Sequence, residues 1–123
     1  MENVSNMQKR NVYRNYDTFR ALIISTLAEM IQRTKGNMLT FNSKKVAILA
    51  DIDTHPVILT LVKDVLEDLR RRGYINYMGR SKHGVKYVVN SRSPLWKAAK
   101  EGGIESVARL LQLGEAVAKL KVS

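Results

Sequence analysis

A chain of 123 residues has room for one core and a modest appendage, since single-core domains most often run to about 100–150 residues. With 45% hydrophobic and 26% charged residues it falls among globular rather than disordered sequences, and the absence of cysteine excludes disulfides, thiolate metal sites and cysteine catalysis. Twenty-one Lys and Arg against 11 Asp and Glu leave a net charge of +10, which points to a polyanionic partner, nucleic acid or an anionic membrane surface.

In chain order, residues 1–15 are polar, Asn-rich and basic at Lys9, Arg10 and Arg14, and read as a flexible tail. Asp17 then serves as N-cap for a helix from about Thr18 to Thr34, with Phe19, Leu22, Ile23, Leu27, Met30 and Ile31 at helical spacing and Gly36 as its C′ stop. Met38 to Phe41, MLTF, forms a short strand. Asn42 or Ser43 caps a short helix, KKVAILA, that buries Val46, Ile48 or Leu49, and Ala50. DIDTHP is a break, because Asp51, Asp53 and Thr54 bond nearby backbone and Pro56 suits the first turn of a new helix. From Pro56 to about Arg72 the sequence is two-sided: Val57, Ile58, Leu61, Val62, Val65, Leu66 and Leu69 gather on one half of the wheel. Thr60, Lys63, Asp64, Glu67, Asp68, Arg70 and Arg71 take the other. Gly73 ends this helix.

YINYM (Tyr74 to Met78) and KYVVN (Lys86 to Asn90) are aromatic and β-branched runs. The GRSKHGV between them is read as a hairpin loop too long for a two-residue turn. Charge is most one-sided here, since residues 74–92 carry Arg80, Lys82, Lys86 and Arg92 and no acid. MENVSNMQKRNVYRNY has no apolar h-region and no apolar run approaches the ~20 residues that span a bilayer, so the expected setting is cytoplasmic, without a membrane.

The order helix, strand, helix, turn, helix, hairpin, together with VLEDLRRRGYINYMGRSKHGVKYVV, resembles a winged helix-turn-helix domain of the bacterial and archaeal transcription-regulator type over residues 16–92. The resemblance implies an α+β, mostly helical fold in which 44–50 and 56–72 form the helix-turn-helix and 79–86 the tip of the wing. It also implies binding to double-stranded DNA. The candidate contacts are Thr54, His55, Thr60 and Lys63 at the start of the recognition helix, and Arg80, Lys82, His83 and Lys86 in the wing. Lys44 and Lys45 join them at a helix start whose amides also face phosphate. Asp64, Glu67 and Asp68 share the polar half of the recognition helix, where they would repel phosphate. Two histidines without cysteine make no metal motif, and neither a nucleophile–base spacing nor a phosphate-binding Gly loop is visible, so an enzyme, a metal site and a cofactor are not expected.

Ser93 to Val117, SPLWKAAKEGGIESVARLLQLGEAV, resembles a single ankyrin repeat in Ser93-Pro94-Leu95, Ala98-Ala99, Gly102, Val107, Leu110-Leu111 and Gly114, with Trp96 where such repeats usually carry His. One repeat cannot bury its own apolar face, so a solenoid is excluded by length. The pattern predicts a C-terminal helical hairpin over residues 93–123, turning at Gly102-Gly103. Its apolar face, Ile104, Val107, Leu110, Leu111, Val117 and Leu120, must cover either the first domain or a second subunit, and a homodimer interface is the preferred reading. The functional expectation is a homodimeric, nucleoid-associated DNA-binding regulator. Its alternatives are an architectural, largely sequence-independent DNA coat and an adaptor that binds a protein partner through the C-terminal helices.

Overall fold

The computed structural model describes residues 15–114, which form α1 (Tyr16–Arg33), β1 (Met38–Phe41), α2 (Ser43–Leu49), α3 (Pro56–Arg71), β2 (Asn76–Ser81), β3 (Gly84–Asn90) and α4 (Pro94–Leu110). The fold is α+β and mostly helical, with one small antiparallel sheet. Of the basic tail assigned to residues 1–15, all but Asn15 lies outside the described residues, as do Val117 and Leu120.

Asn15, not Asp17, caps α1: its Oδ1 accepts the Thr18 amide at 3.2 Å, and Asp17 falls in the first turn, where its charge suits the helix dipole. Eleven of the 18 residues of α1 are buried, including the unbroken run Ala21–Ala28, so this helix is covered on nearly every side and forms the centre of the molecule. It ends at Thr34 rather than through Gly36. Thr34 turns extended, its hydroxyl donates to the Met30 carbonyl at 2.7 Å, and the Lys100 ammonium of α4 donates to the Thr34 carbonyl at 2.6 Å. The orphan acceptors at this terminus are thus met by side chains and need no left-handed residue.

Asn42 caps α2, its Oδ1 accepting the Lys45 amide at 2.8 Å. The helix buries Val46, Ala47 and Ala50, whereas Ile48 and Leu49 are 57% and 53% exposed, contrary to the sequence expectation that one of them is core. Seven residues present only one narrow stripe inward, and small Ala47 takes the place on it beside Val46. The chain then leaves α2 through Asp51 at φ +60°, with the Asp51 amide bonded to the Ile48 carbonyl and the Ile52 amide to the Ala47 carbonyl, both at 3.1 Å. This is the Schellman pattern, and buried Ile52 supplies its apolar contact. Gly73, at φ +85°, ends α3 through the same pair of bonds, to Arg70 and Leu69. Along α3, Ile58, Val62, Val65, Leu66 and Leu69 are buried; Val57, expected with them, is not.

The sheet order is β1-β3-β2, every pair antiparallel. The strands β2 and β3 run further than their aromatic segments suggest, to a Ser81↔Gly84 pair, so only Lys82 and His83 form the turn and the long loop is replaced by a tight hairpin. Gly79 at φ +140° follows a register shift between Tyr77 and Gly79, and Gly84 at φ +100° takes the backbone that most L-residues avoid beside the turn.

Ser93 starts α4: its Oγ accepts the Leu95 amide at 3.1 Å and donates to the Tyr74 carbonyl at 2.6 Å, tying the helix to the end of α3. The helical segments 94–102 and 104–110 meet at Gly103, whose φ +64°, ψ −150° backbone is open to glycine alone. A Cβ there would stand 2.8 Å from the Gln32 side chain of α1.

Both segments of α4 pack on α1, the most extensive helix–helix contact in the chain. Leu95, Trp96, Ala99, Val107, Leu111 and Leu113 join the same core as Phe19, Ile23 and Leu27. Part of the C-terminal apolar face, expected between subunits, is therefore covered within the chain. Val107 and Leu111 are buried within the chain and Ile104 is half-buried against the core, leaving Leu110, at 36%, as the exposed member of the set among the described residues. Among the described residues the apolar residues of α4 are covered by packing against α1.

Candidate nucleic-acid interface

The hairpin tip stands over the N-terminal turn of α2 and beside the polar face of α3, and two open grooves lie in the angle. One, of about 530 Å3, is lined by Ser43 and Lys44 of α2, Leu59, Thr60 and Lys63 of α3, and Arg80 to Val85 of the hairpin. The other, of about 550 Å3, is lined by Asn42, Lys44, Lys45, Ile48, Leu49, Lys82 and His83. They share Lys44, Lys82 and His83. Together they collect Lys44, Lys45, Lys63, Arg80 and Lys82 from three separate elements, and no carboxylate lines either groove.

Local structure explains who points where. Arg80 pairs with Val85 across the hairpin, and opposed residues share a sheet face, so Arg80 is carried to the groove with Val85. Lys86, one residue on, faces the other way and lines neither groove, so it drops out of the expected cluster. Thr54 and His55 are exposed in the turn before α3 but also lie outside both grooves; His55 occupies the N-cap position with no side-chain cap bond. Thr60 does reach the groove, yet its hydroxyl donates to the Pro56 carbonyl at 2.9 Å, so its proton is committed inside the helix. At α2 the Lys45 amide is taken by Asn42 Oδ1 at 2.8 Å, which removes one of the amides expected to face phosphate.

Two of the three acids of α3, Glu67 and Asp68, are held in ion pairs and hydrogen bonds. Asp68 lies 3.2 Å from Arg72 Nε, with Arg71 and Arg20 of α1 at 3.9 and 3.8 Å. Glu67 accepts the Tyr87 hydroxyl at 2.6 Å and two Arg70 N–H groups at 3.0 and 3.1 Å. The Tyr87 and then the Arg70 hydrogen bonds hold the Glu67 carboxyl below its ordinary value of 4.5, while burial and Glu67 push the Tyr87 phenol up. Tyr87 is buried and stacks on Phe41 at 6.0 Å, so this network fastens β3 to α3 and sets the hairpin's position. Asp64 remains exposed, on the side of α3 whose charge reaches Tyr16 at the start of α1.

No family model, curated protein or solved structure matches the chain. What the surface can do follows from its chemistry: cations at the ends of flexible stems, spread over a concave face, suit an extended polyanion. Among the described residues no group of three or more His, Asp or Glu can hold a metal ion, and no helix is long and apolar enough to cross a membrane. Ser43, Leu59, Ser81 and Val85 also line the surface and were not legible as site residues. For Ser43, Ser81 and Val85 the only signal is adjacency in chain to a basic residue; Leu59, between Ile58 and Thr60, carries none.

Proposed function

We propose that the chain binds double-stranded DNA as a winged helix-turn-helix protein and acts as a nucleoid-associated transcriptional regulator. In this reading α2 and α3 are the helix-turn-helix, α3 enters the major groove by its N-terminal turns, and the β2–β3 hairpin is the wing lying along the phosphates. The observation that carries it is the convergence of five cations from α2, α3 and the hairpin on two adjoining grooves without a carboxylate. Ion pairing of Glu67 and Asp68 supports it further, because the repulsion expected from the polar half of α3 is reduced to Asp64.

Lys44, Lys45, Arg80 and Lys82 bind backbone, and so supply affinity common to all sequences, while α3 supplies whatever discrimination there is. Val107 and Leu111 are buried within the chain, so a homodimer in this reading forms through other residues. Fluorescence anisotropy with a labelled duplex of random sequence tests the reading. Binding in low salt that weakens steeply as salt rises is expected, because each neutralised phosphate releases condensed counterions. No binding in low salt, or a flat salt response, would overturn it.

A further inference from the structure

We infer that Val57 is a base-reading residue and that the group it reads is the C5 methyl of thymine. The inference rests on the DNA-binding reading. Val57 is 71% exposed, the most exposed large hydrophobic side chain among the described residues, while every other large apolar residue of α3 is buried or half-buried. It sits in the first turn of α3, one turn before Thr60; Val57 itself lines neither groove, whereas Thr60 lines the one that holds Lys63 and Arg80. An isolated apolar side chain on a surface is ordinary; in the DNA-binding reading this one stands at the end of α3 that enters the major groove.

The rest of that end narrows what can be read. Positions 56–63, PVILTLVK, contain no Arg, Asn or Gln, so the bidentate donors that recognise guanine and adenine are missing, and Lys63 is the one long donor. Thr60 offers an outside partner a methyl and an acceptor, its hydroxyl proton being held by the Pro56 carbonyl. Two branched side chains one turn apart therefore present carbon where a hydrogen-bonding reader would present donors. The major groove displays a single apolar group, the thymine methyl. Exposed Asp64, further along the helix, keeps the later turns away from phosphate and confines the contact to this end.

The test is a selection from a random-sequence duplex pool, followed by replacement of each thymine of an enriched duplex by deoxyuracil, which removes the methyl and keeps the base pair. For the wild-type chain at least one replacement should weaken binding about fourfold, the worth of one buried methyl. In Val57→Ala the penalty at that position should vanish; circular dichroism checks the fold, which an exposed side chain does not support. The inference is overturned if no replacement weakens the wild-type chain, if the penalty persists in Val57→Ala, or if selection enriches nothing. Each of these leaves salt-dependent DNA binding intact, whereas failure to bind any duplex in low salt removes the DNA-binding reading itself.

Discussion

Removing Arg80 and Lys82 together is the sharpest perturbation of the proposed interface. Five cations line the two grooves. If each neutralises one phosphate, log K falls against log salt with a slope of about −4.5, and Arg80→Ala with Lys82→Ala reduces it to about −2.7. Raising salt from about 50 to 200 mM then costs the wild-type chain roughly 500-fold in affinity and the double variant roughly 40-fold. Anisotropy titrations at four or five salt concentrations give both slopes, and neither residue is in the core, so folding is not at stake. The loss should be equal on every duplex tested, because backbone contacts carry no sequence information. An unchanged slope would show that the hairpin does not lie on phosphate, and a loss confined to one sequence would show that it reads bases or groove shape.

Other outcomes follow from the packing. Tyr87→Phe leaves one oxygen of Glu67 without its 2.6 Å donor and should cost about 1.5–3 kcal/mol in urea unfolding. Because Glu67 is depressed in the folded chain, its stabilisation is full above 4.5 and is lost as pH falls through the lower folded value; Tyr87→Phe should therefore flatten the decline in stability below about pH 4.5, and parallel declines would refute that assignment. Leu111→Asp should destabilise the chain by roughly 2–4 kcal/mol by melting, since a charge replaces a buried side chain; a variant of unchanged stability that shifts from dimer to monomer in light scattering would instead place Leu111 between subunits. Gly103→Ala should lower stability by about 1–3 kcal/mol through its backbone alone, and a neutral result would mean that the kink between the two segments of α4 is not maintained in solution.

Much of the secondary structure was legible because its causes are local. Pro56, Gly73, Ser93 and Gly103 act within a turn of the residues they govern, and a cap or a left-handed backbone position requires little beyond neighbouring residues. The basic character of the hairpin region was legible for a similar reason, since four cations without an acid stand within residues 74–92. What the sequence could not decide was every question of which surface meets which. Periodicity puts Val57 on an apolar half and marks Ile48 or Leu49 as core, but burial depends on whether another element reaches that part of the helix, and among the described residues none does. It sets Glu67 and Asp68 against phosphate, while Arg20, Tyr87 and the arginines of the last turn of α3 take them out of that role. For the apolar face of α4 it favours a second subunit over its own chain. That choice belongs to the tertiary structure, because a hydrophobic face specifies only that it be covered, and the cover here is α1.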